Sequence, residues 1–190
     1  MNDEVLNLHA ILPRSRANGP GVRFAIWFQG CALNCAGCFN PATHAVAPNM
    51  LVSVRDLVDR IASEAPELEG VTLSGGEPLQ QSGGLLQLLT GIRSNTRLSV
   101  ILFSGYEKDE IERLPDGPPI LAGVDVLIAG RYDASLRLSR GLRGSSNQTI
   151  HLLTDRYGME ELERTPTAEA HIDRSGKIVI SGVGPPEISE

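Results

Sequence analysis

A chain of 190 residues is long enough to bury a core without disulfide staples and too short for a second full domain. Its 41% hydrophobic and 21% charged residues, with 20 glycines and 12 prolines, describe a folded, turn-rich protein rather than a disordered one. A formal charge of −6 gives no electrostatic footprint for nucleic acid or an anionic membrane. The start, MNDEVLNLHAILPRSRANG, lacks the layout of a secretory signal, and no apolar run approaches a membrane span, so a cytoplasmic protein is expected.

In chain order, GVRFAIWF (21–28) is a β-rich run that leads into a loop holding all three cysteines. SVRDLVDRIASEA (53–65) places apolar residues at helical spacing behind Ser53, an N-cap candidate. GVTLS (70–74) reads as a strand, GGLLQLLTGIR (83–93) as a helix and LSVILFS (98–104) as a strand. KDEIERL (108–114) then reads as a short helix and VDVLIAG (124–130) as another strand. The alternation predicts right-handed βαβ units and a parallel sheet, with ligands outside the carboxyl ends of its strands.

After Arg131 the pattern loosens into a Gly/Ser/Arg-rich loop (139–147). TIHLL (149–153) reads as a strand, AHIDRSGKIVI (170–180) as a hairpin turned at Ser175-Gly176, and GVGPPEISE (182–190) as a loose tail. A complete eight-stranded barrel takes about 250 residues. The expected fold is therefore α/β, a partial, open β/α barrel with a parallel sheet. One domain is expected over 1–190, with a core at about 18–153 and a C-terminal extension at 154–190.

The cysteines stand as Cys31-x3-Cys35-x2-Cys38, an odd number packed too tightly for a disulfide framework. Three thiolates on a loop with Gly30 and Gly37 for backbone freedom suit a cuboidal iron–sulfur cluster. Four irons served by three cysteines leave one iron open to a small molecule. The competing reading is a Cys3His zinc site completed by His44, but the spacing is not a usual zinc knuckle and no second Cys/His pair is present. An electron-transfer cluster would want a fourth cysteine. His9, His44, His151 and His171 lie in scattered contexts, and none is nominated as an acid or base.

The second strand ends in Ser74-Gly75-Gly76-Glu77-Pro78. Alone, this is a strand-to-helix turn whose glycines permit positive φ. Glu77 adds a carboxylate at a strand end, and bare glycine backbone permits close approach by a ligand. Arg131, after the fourth of these strands, has a guanidinium suited to a carboxylate, or to an ordinary surface ion pair.

The cysteine spacing and the run NGPGVRFAIWFQGC (18–31) resemble the radical S-adenosylmethionine enzymes, and within them the activating enzymes of glycyl-radical proteins, which carry a similar Asp/Asn-Gly-Pro-Gly-x-Arg segment. The order Gly37-Cys38-Phe39-Asn40 and the stretches FSGYEKDEI (103–111), VDVLIAGRYD (124–133) and RGSSNQTIHL (143–152) are similar to the anaerobic ribonucleotide reductase activases, as is the SGVGP ending. The resemblance runs from about Asn18 to Pro185. One departure is Ala129, where related activases usually carry a second acid that would help bind a cation near the cofactor carboxylate.

The resemblance implies that Cys31, Cys35 and Cys38 hold a [4Fe–4S] cluster at the C-terminal strand ends. S-adenosylmethionine would lie beside it, its amino group held by Gly75, Gly76, Glu77 and Pro78 with Ser74 adjoining. Gly37 and Phe39 would lie near its adenine, and Arg131 near its carboxylate. A flavodoxin- or ferredoxin-type donor would supply the electron that cleaves the cofactor to methionine and a 5′-deoxyadenosyl radical. The radical would take a Cα hydrogen from a glycine of a partner, an anaerobic ribonucleotide reductase. Two alternatives remain: a radical S-adenosylmethionine enzyme acting on a peptide or small metabolite such as a deazapurine, and a noncatalytic iron–sulfur or zinc-binding module.

Overall fold

The apolar runs that alternate with helices become four adjacent parallel strands. In the computed structural model, which describes residues 3–172, 175–176 and 178–184, the chain runs β1 (Val5–Ser15), β2 (Arg23–Phe28), the cysteine loop, β3 (Met50–Ser53), α1 (Val54–Glu64) and β4 (Gly70–Gly75). It continues through α2 (Ser82–Asn95), β5 (Ser99–Ser104), α3 (Lys108–Glu112), α4 (Gly117–Ala122) and β6 (Val126–Ala129). After these come β7 (Arg137–Arg140), β8 (Arg143–Ser145), β9 (Thr149–Leu152), α5 (Met159–Glu163), β10 (Ala168–Ile172) and β11 (Ile178–Gly182).

Seven strands form one sheet in the order β3-β1-β2-β4-β5-β6-β9. β2, β4, β5 and β6 pair in parallel, and β1, β3 and β9 join antiparallel at the flanks. The result is a mixed α/β fold on a large, parallel-rich sheet with two edges, compatible with an open barrel. No helix among the described residues is long and apolar enough to cross a membrane.

The parallel strands are mainly apolar because both of their faces are covered. On one face Phe24, Ile26, Val71, Leu73, Val100 and Leu102 meet Leu57 and Ile61 of α1 and Leu85, Leu88 and Leu89 of α2, all buried. Each such side chain contributes about 1.5–3 kcal/mol by leaving water. On the other face Ile101, Val126 and Ile128 lie under Leu142, Tyr157 and Leu162 from the later elements. α1 begins as expected, with the Ser53 hydroxyl accepting from the Asp56 N–H at 3.1 Å.

β3, α4 and α5 are additions to the sequence expectation, and two further regions differ from it. The residues read as a loop at 139–147 include the β7–β8 hairpin, which turns through Gly141 (φ 58°) and Leu142 (φ 67°). A bulky leucine in the left-handed region is strained. Burial of its side chain in the second core holds it there. The eleven-residue β1 also lacks a clean strand signature, because its pairing with β2 shifts between Leu8 and Ala10 and again between Leu12 and Ser15. The C-terminal hairpin is present as β10–β11, with Gly176 at φ 84° in its turn. The expected tail lies outside the described residues from position 185 onward.

Candidate functional site

β2 delivers the chain to the cysteine loop, whose two ends are clasped together. Gly30 N–H donates to the Thr43 carbonyl at 2.8 Å and Cys31 N–H to the His44 carbonyl at 3.2 Å. Inside this clasp the backbone bends through Asn34 (φ 48°) and Gly37 (φ 70°), conformations that Asn and Gly tolerate. A Cβ at Gly37 would lie 2.8 Å from the Ala134 Cβ, so the loop also needs glycine there for close approach. Cys31, Cys35 and Cys38 are free thiols lining one cavity. Burial raises the Cys31 and Cys38 thiols above their ordinary range, although backbone N–H groups of Leu33 and Asn34, and of Asn40, work against it. Asn40 N–H points at the Cys38 sulfur at 3.4 Å.

The Gly-Gly-Glu-Pro turn abuts this loop through backbone. Gly76 N–H donates to the Phe28 carbonyl and Glu77 N–H to the Gly30 carbonyl, at 2.8 and 2.9 Å. A Cβ on Gly75 would fall 2.4 Å from the Phe28 nitrogen, and one on Gly76 2.2 Å from the Gly30 carbonyl oxygen. The approach that these glycines permit is therefore that of the protein's own chain, which presses the end of β4 onto the start of the cysteine loop. Ser74, Gly75, Gly76 and Glu77 line the cavity; Pro78 is buried at the start of a 3-10 turn and does not.

Glu77 is fully buried. Its Oε1 accepts from Leu79 N–H and the Ser104 hydroxyl, each at 3.0 Å, and its Oε2 accepts from Gly105 N–H at 2.8 Å. A carboxylate has about four acceptor positions. Three are filled by protein donors, and the group lines the cavity. Burial pushes its carboxyl up to about 7, against the pull of Leu79, Gly105, Ser104 and Arg131.

Phe39 meets Tyr132 edge to face, ring centres 5.1 Å apart at 77°, and both line the cavity. Gly144 backs this pair, since a Cβ there would reach 2.9 Å from Phe39 and 3.2 Å from Tyr132. Gln148 holds the wall together: its Oε1 accepts from Gly144 and Ser145 N–H, and its Nε2 donates to the Gly130 carbonyl. Arg131 is not part of the cavity wall. Its guanidinium donates to both Glu110 oxygens, at 2.7 and 3.2 Å, and stacks over Tyr106. Ala129 is fully buried with its methyl in the helix-side core.

Ser104, Gly105, Tyr132 and Gln148 are site residues to which residue-level reading assigned no role. The stretches containing them were recognisable, and the strand ends at β5 and β6 were the available signal.

A family model described as "4Fe-4S single cluster domain" matches residues 17–151. The anaerobic ribonucleoside-triphosphate reductase-activating protein of Enterobacteria phage T4 is 31% identical over 155 residues, covering 79% of this chain and 96% of that one. Its namesake in Escherichia coli (strain K12) is 30% identical, covering 78% and 99%. The chain belongs to the glycyl-radical activating family of radical S-adenosylmethionine enzymes. Another relative is the pyruvate formate-lyase-activating enzyme of Staphylococcus epidermidis, 38% identical over 94 residues, or 47% of this chain and 38% of that enzyme. Among solved structures, QueE from Escherichia coli aligns over 54% of this chain and 53% of its own, at 20% identity and TM-score 0.40.

The thiol arrangement fits the cluster of this radical S-adenosylmethionine family better than a single ion. Among the described residues, no three His, Cys, Asp or Glu side chains converge on one point where an ion would sit. His44 lines the cavity with the thiols and still does not complete such a group. Structural zinc needs four ligands converging on one centre. Three free thiols lining one cavity suit a polynuclear cluster.

Proposed function

We propose that this activating enzyme cleaves S-adenosylmethionine reductively at a [4Fe–4S] cluster and places a radical on a glycine of a partner, an anaerobic ribonucleotide reductase. The observation that carries the reading is that three free thiols share one cavity with a buried carboxylate whose acceptor capacity is not exhausted. Cys31, Cys35 and Cys38 would hold the cluster through their thiolates. When bound, the cluster supplies an electron to the sulfonium of S-adenosylmethionine, releasing methionine and a 5′-deoxyadenosyl radical that abstracts hydrogen.

The chain's own residues bind, orient and shield. Glu77 offers its remaining acceptor position to the cofactor amino group, and that cation in turn relieves the cost of keeping Glu77 ionised in a buried place. Ser74, Gly75 and Gly76 form the adjoining wall, and Pro78 fixes the turn behind them. Gly37 and Phe39, with Tyr132, form the apolar side against which a purine would lie. Arg131 reaches the cofactor carboxylate only by leaving Glu110. No general base is required, because hydrogen abstraction leaves no proton to remove. Residues 18–153 form the core of this single domain, and residues 154–190 extend it. A flavodoxin- or ferredoxin-type protein fits the role of electron donor, and a cytoplasmic setting fits the oxygen-sensitive chemistry.

The test is anaerobic reconstitution with iron and sulfide, a low-potential reductant, S-adenosylmethionine and cognate reductase. Expected are four irons per chain, 5′-deoxyadenosine, and a glycyl radical seen by electron paramagnetic resonance on the reductase. Cleavage without a protein radical would instead favour a peptide or metabolite substrate. One zinc per chain and no cleavage would leave only a structural metal site.

A further inference from the structure

The cavity that holds the thiols continues past Ser74. Phe39, Asn40, Ser74 and Phe103 line it and also line a second cavity, whose opposite wall is Val179, Ile180, Ser181, Gly182 and Val183. These five residues are consecutive. β11 and the residue after it therefore run along this cavity wall.

Among the described residues β11 pairs with β10 alone, and no β10 residue lines the cavity. The other edge of β11 has no strand partner among the described residues and so presents ladder N–H and C=O groups on that side. The hairpin is fixed in place. Asn18 donates to the Ser181 hydroxyl, and the Glu169 carboxylate accepts from the Ser15 hydroxyl and from Arg16 N–H. Along the same hairpin Ile172, Ile178 and Ile180 stay 70%, 60% and 58% exposed, an apolar strip of which Ile180 lines the second cavity.

We infer that the free edge of β11 receives an extended segment of the partner polypeptide as an added strand, with Ile178 and Ile180 gripping side chains that flank its reacting glycine. This rests on the reading that the substrate is a glycine of another protein. Glycine has no side chain by which it can be held, so a site that takes its Cα hydrogen must place it by main-chain hydrogen bonds and by its neighbours. Strand addition to an open edge supplies both.

Two experiments on the reconstituted full-length enzyme test this. In the first, an Ile178→Lys/Ile180→Lys variant is compared with the unaltered protein. Both side chains are mostly exposed, so the fold and reductant-driven cleavage without partner should be unchanged. Radical formation should need at least tenfold more reductase to reach the same yield. In the second, a synthetic peptide spanning the radical-site glycine of the cognate reductase competes for radical formation, with single backbone N-methyl groups placed at successive positions. Loss of competition at every second position is the result expected of strand addition. Equal radical yields from variant and unaltered enzyme at every reductase concentration, or an N-methyl scan without two-residue alternation, would overturn the docking edge while leaving the activase reading intact. Failure of the unaltered enzyme to produce a reductase radical would overturn both.

Discussion

The two ends of the parallel sheet each hold a buried charged group, and they use it in opposite ways. At the amino ends of the strands, Arg23 from the Asn-Gly-Pro-Gly-x-Arg run is fully buried. Its nitrogens donate to the Thr72 hydroxyl, the Ser99 hydroxyl, the Tyr157 hydroxyl and the carbonyls of Pro20, Val71 and Ser99. A guanidinium has five N–H donors, and none is left over. Burial lowers the Arg23 value, offset by Tyr157, Glu69 and Asp125, and Tyr157 passes the charge outward by donating to Glu69 at 3.0 Å. At the carboxyl ends Glu77 is equally buried but keeps an acceptor position unfilled at a cavity wall. Burial of a charge does not by itself mark function; unspent hydrogen-bonding capacity facing a cavity does. A run that identifies the family is in this chain a structural bolt, far from the thiols in strand direction.

The largest effect that separates the two ends comes from the cysteines. Changing any one of Cys31, Cys35 or Cys38 to Ser should abolish stable cluster assembly and lower 5′-deoxyadenosine formation by more than about a thousandfold, roughly 4 kcal/mol in barrier terms. Thermal unfolding of the cluster-free protein should barely move, since all three side chains are partly exposed and free of disulfides. Iron analysis and product chromatography report the first, calorimetry the second. A variant that retained four irons would break the assignment.

Arg23→Ala should do the reverse. Removing one partner of a buried charged network costs about 3–5 kcal/mol, because Thr72, Ser99, Tyr157 and three carbonyl contacts lose their donor together. Arg23→Lys should recover little, since an ammonium has three donors and no planar fork. In the fraction that folds, cluster content and cofactor cleavage should be normal. Chemical denaturation together with cleavage per folded, cluster-loaded molecule decides this, and selective loss of cleavage would show that the bolt also serves the site.

Glu77→Gln probes the carboxyl end. Cofactor affinity should fall roughly ten- to a hundredfold, the loss of one charge-assisted bond of about 1.5–3 kcal/mol. The pH profile is the sharper readout. In the folded apoprotein the Glu77 carboxyl keeps its proton up to about 7, whereas unfolded it releases it near 4.5. Between those values the folded state holds more protons, so its stability falls as pH rises and levels off above about 7. The contribution is of order 3 kcal/mol across that window. Glutamine does not titrate, and its constant mismatch with the Gly105 N–H cancels from the slope. The variant should therefore lack this fall; parallel stability profiles would mean that Glu77 ionises normally.

Much of this arrangement is written locally, and the legible parts share a cause. Strands β2, β4, β5 and β6 announce themselves because burial on both faces favours short, mainly apolar runs, and α1 does so through Ser53 and helical spacing. The cysteines and Gly75, Gly76 and Glu77, which line one cavity, stand out by residue type at fixed spacing. β1 was not legible, since two register shifts in its pairing with β2 break its period of two, and neither was the β7–β8 turn, where tertiary burial of Leu142 overrides its backbone preference. Tyr132 and Gln148 gain their places only when β6 and β9 pair, as Ala129 with Thr149, and no local pattern encodes that neighbourhood. The same applies to Arg23, whose partners other than Pro20 lie on β4, β5 and the segment after β9.

Arg131 gives the smallest effect and the finest distinction. Its side chain and that of Glu110 are 45% and 34% exposed, so the pair contributes only about 0–1 kcal/mol to stability, and Arg131→Ala should shift the unfolding midpoint little. If the guanidinium stays on Glu110, the KM for S-adenosylmethionine should change by less than about threefold. If it swings to the cofactor carboxylate, it gives up one bidentate partner for another, and the KM of the alanine variant should rise by about tenfold or more, the worth of one charge-assisted hydrogen bond. Glu110→Gln then separates the cases. Weakening the competing partner should leave KM unchanged in the first and lower it in the second, because the arginine would no longer need to be drawn from a carboxylate. Opposite responses to Arg131→Ala and Glu110→Gln would place Arg131 with Glu77 among the groups that hold the cofactor, and parallel, small responses would place it with Arg23 among those that hold the protein.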